Sequence, residues 1–131
     1  MTHSENRKYT ILIAEDEETN FLFLSEFLGK RGYDIIRAEN GLESVDIIKS
    51  EKKIDLILMD IKMPLMNGYE ATRLIKELKP EIPIIAQTAY ALAGDSIKAR
   101  EAGCDYYLAK PIRINILEEF VLKALKDTAS K

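Results

Sequence analysis

Five short apolar runs alternate with amphipathic segments in this 131-residue chain, and this alternation constrains the fold more than any other feature. A strand that is covered on both faces has a continuous apolar sequence, which is typical of a parallel sheet packed between helices. The predicted strands span residues 10–14, 33–38, 55–59, 82–87 and 105–109. The sequence therefore predicts a buried parallel sheet.

The segments between and after these runs have the periodicity of amphipathic helices. The predicted helices span about residues 18–30, 41–51, 68–78, 95–101 and 115–126. Gly32 and Gly103 follow the first and fourth helices, and Pro80 and Pro83 flank the turn before the fourth strand. Five strand–helix units predict a (βα)5 fold of the α/β class, with helices on both faces and right-handed crossovers.

Composition excludes several kinds of site. The single cysteine, Cys104, allows no internal disulfide and no Cys-based zinc cluster. The single histidine, His3, allows no His-rich metal site and no internal Ser-His-Asp triad. A formal charge of −3 argues against direct binding of nucleic acid. Residues 1–8 lack the apolar region of a secretory signal peptide, and no apolar run is long enough to span a membrane. We therefore expect a cytoplasmic location.

The length is that of one domain, which we expect to span residues 9–128. Short polar tails are expected at residues 1–8 and 129–131. No internal repeat, low-complexity stretch or linker divides the chain.

Acidic, hydroxyl and basic side chains follow four of the predicted strands. Glu15 and Asp16 follow the first strand, Asp60 the third, Thr88 the fourth and Lys110 the fifth. Ligands of open α/β sheets bind at the carboxyl ends of the strands. If strands one and three are neighbours, three carboxylates converge there and repel one another. Mg²⁺, which prefers oxygen ligands, or the lysine ammonium would relieve that repulsion.

Each of these residues also has a purely structural explanation when it is taken alone. Asp16 and Glu17 would suit the first turn of a helix, and Asp60 would cap a loop. Thr88 would be a turn hydroxyl, and Lys110 a solvated charge. An acid pair, an acid, a hydroxyl and an ammonium at four strand ends are, however, the groups needed to hold a phosphoryl group together with Mg²⁺. The joint pattern therefore favours phosphoryl chemistry.

Four segments together resemble the receiver domain of two-component response regulators. They are Ile11–Asp16, Leu58–Glu70, Gln87–Ala89 and Gly103–Pro111. The resemblance runs from about Thr10 to Lys126 and implies a flavodoxin-like, doubly wound sheet with strand order 2-1-3-4-5. The stretch Met59–Pro64 is similar to receivers attached to hybrid histidine kinases, whereas Met1 and its polar leader favour a stand-alone receiver. Both arrangements remain open at this point.

The resemblance implies a role for each acidic residue. Asp60 matches the aspartate that accepts the phosphoryl group. Glu15 and Asp16 match the acid pair, with Asp16 as the direct Mg²⁺ ligand and Glu15 acting through water. The backbone carbonyl of Lys62 is implied as a further Mg²⁺ ligand. The side chains of Lys62 and Tyr90 match positions that flank the route of attacking water, which leaves the lifetime of the phosphorylated state open.

The remaining implied roles concern the phosphoryl oxygens and the switch. Thr88 matches the hydroxyl that binds the phosphoryl group, and Lys110 matches the lysine that pairs with it. The resemblance also implies a cis Lys110–Pro111 bond, which would aim the ammonium of Lys110 at Asp60. Tyr107 matches the aromatic residue that swings inward with Thr88 on activation. We expect helix four, strand five and helix five to form the switching surface. Apolar area around Tyr107 is expected from Tyr90, Tyr106 and Ile112.

The implied function is that of a phospho-accepting signalling domain, which receives its phosphoryl group from a histidine kinase or a histidine phosphotransfer domain. Such a domain assists only its own phosphorylation and dephosphorylation and is not otherwise an enzyme. Its output would be a phosphorylation-dependent dimer or a downstream protein, with no direct contact to nucleic acid or membrane.

Three alternatives are weighed against this function. A flavodoxin-like electron carrier needs a phosphate-binding loop after strand one, where residues 15–18 are all acidic. A haloacid-dehalogenase-type phosphatase needs a second acid where Lys62 stands. A pseudo-receiver that only binds partners would not require the complete set of Asp60, Thr88 and Lys110. A DNA-binding output domain is excluded for this chain only.

Overall fold

A computed structural model of the chain describes residues 8–89 and 94–129. The strands are β1 (Thr10–Ala14), β2 (Asp34–Ala38), β3 (Leu56–Asp60), β4 (Ile84–Thr88) and β5 (Tyr106–Ala109). The helices are α1 (Glu18–Lys30), α2 (Gly41–Lys49), α3 (Gly68–Leu78), α4 (Asp95–Ala102) and α5 (Ile114–Ala129). The predicted polar tails lie almost entirely outside the described residues.

All strand pairs in the sheet are parallel, and the order is β2-β1-β3-β4-β5. The predicted (βα)5 fold and the strand order implied by the resemblance are both confirmed. β1 lies between β2 and β3, so that Ile11 pairs with Ile35 on one side and with Leu56 on the other. The first and third strands are therefore neighbours, which is the condition for the predicted convergence of carboxylates.

The observed elements differ from the predictions by a few residues at their ends. β4 starts later than predicted, because the N–H of Ile82 donates to the carbonyl oxygen of Lys79 (3.2 Å) within the preceding turn. α2 ends early, where Glu51 adopts a left-handed conformation with φ of 71°. α5 is longer at both ends than predicted. β3 and β4 each end one residue later than predicted, at Asp60 and at Thr88.

Two apolar layers cover the sheet, one on each face. Along β1, Leu12 and Ala14 pack in the layer beneath α2, α3 and α4, whereas Ile11 and Ile13 pack in the layer beneath α1 and α5. Every residue of β3 and β4 is buried, as expected of central strands covered on both faces. The alternation of side chains thus assigns each polar residue at a strand end to one face of the sheet.

Gly68 holds the loop between β3 and α3 against the end of β3. A Cβ atom at this position would lie 2.3 Å from the carbonyl oxygen of Asp60, so only glycine allows this approach. The N–H of Gly68 also donates to the carbonyl oxygen of Ile61 (2.8 Å). The adjacent Asn67 caps α3 by accepting a hydrogen bond from the N–H of Glu70 (3.0 Å).

In the described residues, no helix has the length and apolar character needed to cross a bilayer.

Candidate functional site

Three carboxylates converge at the carboxyl edge of the sheet. Glu15 follows β1, Asp60 ends β3, and one carboxylate oxygen from each of Glu15, Asp16 and Asp60 lies within 4.8 Å of the others. Glu15 is fully buried and Asp60 is 3% exposed, whereas Asp16 is exposed. The structure therefore brings together the predicted acid pair and the predicted phospho-acceptor, with one of the three carboxylates open to solvent.

Lys110 supplies the positive charge of this cluster. Its Nζ lies 3.3 Å from Oε1 of Glu15, 3.5 Å from Oδ1 of Asp60 and 3.9 Å from Oε1 of Glu17. Its backbone N–H donates to the carbonyl oxygen of Thr88 (2.7 Å), which joins the residue to the end of β4. The Lys110–Pro111 bond is cis, as the resemblance implied. The expectation that the ammonium points towards Asp60 is confirmed.

Glu15 is held by contacts that the sequence pattern did not predict. Its carboxylate accepts hydrogen bonds from Nδ2 of Asn20 and from the N–H of Glu17 (3.2 Å). Its carbonyl oxygen accepts from Nε and Nη2 of Arg37 (3.3 and 3.1 Å), and that guanidinium also stacks on the ring of Phe21. The one signal in the sequence was a cationic residue inside the largely apolar second strand. Arg37 thus fixes the loop that presents the acid pair.

Burial and charge repulsion shift the pKa values of the cluster. Burial, followed by the charge of Glu15, raises the pKa of Asp60 to about 7, and Lys110 opposes this rise. Burial lowers the pKa of Lys110, but the carboxylates of Asp60 and Glu15 outweigh burial and raise it overall. One ammonium therefore faces three carboxylates, and the site has an excess of negative charge that suits a divalent cation.

The raised pKa of Asp60 predicts a pH-dependent stabilisation by Asp60→Asn in metal-free protein. Because the folded pKa is about 7 against an ordinary 3.8, the wild type is most stable relative to the variant at low pH. That advantage is lost as the pH rises through the folded pKa, whereas the amide of the variant stays neutral. We expect the variant to gain about 1–3 kcal/mol in free energy of unfolding between about pH 4 and pH 8.

Urea unfolding curves recorded with a chelator across this pH range measure the difference. Asp46→Asn, an exposed carboxylate on α2, is the matched control and should show no comparable trend. A stabilisation that is equal at all pH values, or a loss of stability at alkaline pH, would contradict the electrostatic explanation.

By the alternation of side chains, Thr88 and Tyr107 belong to the other face of the sheet from Asp60, but Thr88, the last residue of β4, lies at the same carboxyl edge as Asp60, the last residue of β3. Tyr107 packs in the layer beneath α2, α3 and α4, which also contains Ala86, two residues before Thr88. The hydroxyl of Tyr107 is buried and has no hydrogen-bond partner in the described part of the chain. Burial, followed by the charge of Asp95, raises the pKa of this hydroxyl. The ring is therefore directed inward in this conformation.

The apolar surface expected around Tyr107 differs from the prediction. Side chains alternate along β5, so Tyr106 faces the other layer, where its ring centroid lies 5.2 Å from that of Phe120. Ile112 also packs against that layer. Tyr90 lies outside the described residues. The prediction that Tyr106 and Ile112 share one face with Tyr107 was wrong. Adjacent residues of a strand project to opposite faces, which separates Tyr106 from Tyr107, and Ile112 lies in the loop after β5, where it packs against the layer beneath α1 and α5.

Lys62 follows Asp60 in the loop after β3, and its side chain is exposed. Its backbone N–H donates a hydrogen bond to the carboxylate of Asp60. This bond links the loop to the acceptor side chain. The role of the Lys62 carbonyl as a metal ligand stays a prediction.

The fold and this acidic site define a receiver domain. The chain belongs to the response regulator receiver domain family, which matches residues 11–122, and it is therefore a receiver domain of two-component signalling. It is 40% identical over 121 residues to the polar-differentiation response regulator DivK of Brucella anthropi, covering 90% of this chain and 97% of DivK. The family match removes the electron carrier and the phosphatase as alternatives.

Solved structures of receiver domains show the same architecture. The receiver domain of the sensor histidine kinase PA1611 from Pseudomonas aeruginosa, with magnesium in its active-site cleft, is 33% identical, with a TM-score of 0.84 and coverage of 92% of this chain and 99% of that one. The receiver domain of yeast Ssk1, solved with the histidine phosphotransfer protein Ypd1, is 31% identical, with a TM-score of 0.81 and coverage of 88% of each chain.

Proposed function

We propose that this domain accepts a phosphoryl group on Asp60 from a phosphohistidine, in a reaction that requires Mg²⁺. The observation that carries the proposal is the position of Asp60, which lies beside an ammonium at 3.5 Å and two further carboxylates. A buried carboxylate in such surroundings is a nucleophile whose charge must be balanced before a second anion can approach.

Glu15, Asp16 and Asp60 are the side chains that would hold Mg²⁺, together with the carbonyl oxygen of Lys62. One carboxylate oxygen of each residue already lies within 4.8 Å of the others, so modest side-chain movements would let all three contact a single cation. When bound, the cation neutralises the carboxylates and the oxygens of the incoming phosphoryl group. The donor set, which consists of oxygen atoms alone, fits Mg²⁺ rather than a softer metal.

The residues of the chain then perform the transfer. An oxygen of Asp60 attacks phosphorus in line, the bond from phosphorus to the histidine nitrogen breaks, and an acyl phosphate forms on Asp60. The ammonium of Lys110 balances charge on the phosphoryl oxygens, and the hydroxyl of Thr88 donates a hydrogen bond to one of them. Water can later hydrolyse the acyl phosphate in the same site. The domain thus assists its own phosphorylation and dephosphorylation and acts on no separate substrate.

The phosphoryl donor in this proposal is a histidine kinase or a histidine phosphotransfer domain. The structural similarity to Ssk1, which was solved in complex with Ypd1, supports that class of partner. The output is a change in the surface formed by α4, β5 and α5, read by a second copy of the domain or by a downstream protein in the cytoplasm. Neither nucleic acid nor membrane is a direct partner in this scheme.

Labelling with acetyl phosphate tests the proposal, because this donor requires no cognate kinase. We expect the intact mass to increase by one phosphoryl group in the presence of Mg²⁺ and to remain unchanged with a chelator. A phosphorylated histidine phosphotransfer domain should label the protein faster than acetyl phosphate does. Absence of label with both donors would instead support a pseudo-receiver that only binds partners.

Tyr107 is expected to report the phosphorylated state. Its buried hydroxyl lacks a partner in the described residues, so the inward ring is held by packing alone and at a cost of about 1–3 kcal/mol. Beryllofluoride with Mg²⁺ would draw Thr88 towards Asp60 and leave more room for the ring. We therefore expect the NMR signals of the Tyr107 ring to shift when beryllofluoride binds, and Thr88→Ala to weaken that shift. Unchanged ring signals would exclude coupling through Thr88.

A further inference from the structure

Gln87 is a buried amide that no described residue satisfies. It lies in β4 and is 1% exposed, and neither its Oε1 nor its Nε2 has a hydrogen-bond partner in the described part of the chain. A buried polar group without partners destabilises a fold, so such a group in a native structure needs an explanation. An aliphatic side chain would fill this position without that cost, as Ile85 does two residues earlier on the same face.

The register of the sheet places Gln87 beside the phospho-acceptor. Gln87 pairs with Asp60 on β3 and with Leu108 on β5. Paired residues of parallel strands project to the same face, and Leu108 belongs to the layer beneath α1 and α5. The side chain of Gln87 therefore projects from the face that also carries Glu15 and Asp60. Its strand, β4, lies between β3, which ends in Asp60, and β5.

The strand order also places Gln87 under the path of the Lys110 side chain. Lys110 follows β5, yet its Nζ lies 3.5 Å from Asp60 on β3, so the side chain must cross β4 to arrive there. Gln87 is the β4 residue on that face at the end of the sheet. The ammonium has three protons to donate, and the nearest carboxylate oxygens lie at the long distances of 3.3 and 3.5 Å.

We propose that Gln87 is a positioning residue that acts through Lys110. A rotation of the carboxamide lets its carbonyl oxygen accept a hydrogen bond from the lysine ammonium, which steadies the ammonium beside Asp60 as the phosphoryl group arrives. The proposal rests on the function proposed above, since it concerns the rate of phosphorylation of Asp60. It assigns no contact between Gln87 and the metal.

Gln87→Met tests this inference, because methionine has nearly the same length and cannot replace the hydrogen bond. We expect phosphorylation by acetyl phosphate to slow by about tenfold, the effect of losing one hydrogen bond to a charged group. Mg²⁺ affinity, measured with the metal alone, should match that of the wild type. Stability should be unchanged or higher, because an unsatisfied amide is removed.

A double-mutant comparison separates action through Lys110 from a general effect on packing. If Gln87 works through Lys110, adding Gln87→Met to Lys110→Met should slow phosphorylation no further. Ile85→Val, a packing change on the same strand and face, is the matched control and should lower stability without changing the rate. In the wild-type background, Gln87→Leu should slow the reaction as Gln87→Met does, which guards against a variant that fails to fold.

Each result decides the inference. A wild-type rate in Gln87→Met, an equal slowing in the Lys110→Met background, or a parallel loss of Mg²⁺ affinity would overturn it. A wild-type protein that accepts no phosphoryl group would overturn the proposed function and this inference together. A labelled wild type with an unaffected Gln87 variant would overturn the inference alone. With beryllofluoride and Mg²⁺ bound, Lys110→Met is expected to shift the NMR signals of the Gln87 side-chain amide, and an unchanged signal would overturn the inference.

Discussion

Asp60→Asn will abolish phosphorylation while leaving the fold intact. Asp60 is the acid at the end of β3, and its carboxylate lies near both the acid pair and the ammonium of Lys110. The amide keeps the shape of the side chain but lacks the anionic oxygen that attacks phosphorus. Loss of one of three crowded carboxylates also removes repulsion, so the fold should tolerate the change. Intact mass after treatment with acetyl phosphate and Mg²⁺ measures the effect.

Asp55→Asn is the matched control for this variant. Asp55 directly precedes β3, at the opposite end of the strand from Asp60, and it is also buried. Its carboxylate accepts a hydrogen bond from the N–H of Thr10 (2.8 Å), which an amide oxygen can also accept. We expect Asp55→Asn to be labelled like the wild type. Stoichiometric labelling of Asp60→Asn within the cluster of Glu15, Asp16 and residue 60 would refute the assignment of Asp60 as the acceptor.

Removal of the Asp16 carboxylate is expected to weaken Mg²⁺ binding more than removal of the Glu15 carboxylate. Asp16 is exposed, so its oxygens can turn directly to the cation, and its short side chain holds a hard ion rigidly. Glu15 is fully buried, and its carboxylate is already engaged by Asn20, by the N–H of Glu17 and by Lys110. We therefore expect Asp16→Ala to lose measurable Mg²⁺ binding.

The Glu15 variant completes this comparison. Glu15→Gln keeps the size and most of the hydrogen bonds of the side chain, so it tests charge without emptying a buried position. We expect it to weaken Mg²⁺ binding by about tenfold, as for a residue that orients the ligands of a metal. Calorimetric titration of Mg²⁺ into the metal-free proteins measures both variants. A greater loss in Glu15→Gln than in Asp16→Ala would reverse the two roles.

The sequence by itself determined the fold class and the composition of the site. Continuous apolar runs are needed wherever a strand is covered on both faces, so the parallel sheet follows from local patterning. Polar residues at the ends of such runs must lie at one edge of a parallel sheet, which is why the amino-acid pattern alone places Glu15, Asp60 and Lys110 along that edge. The spacing alone left the strand order open, because alternating strands and helices are compatible with several windings. The resemblance to receiver domains supplied that order.

Tertiary structure alone decided which groups support the site. The contacts of Asn20 and Arg37 with Glu15 join residues of different elements, and periodicity describes only one element at a time. The buried, unsatisfied amide of Gln87 is likewise invisible in the sequence, where it looks like a polar residue at the end of a strand. Its meaning depends on the register with Asp60 and on the path of Lys110 across β4. Local patterning tells which side of an element is buried, whereas hydrogen bonds between elements depend on the position of a neighbour that only the folded chain provides.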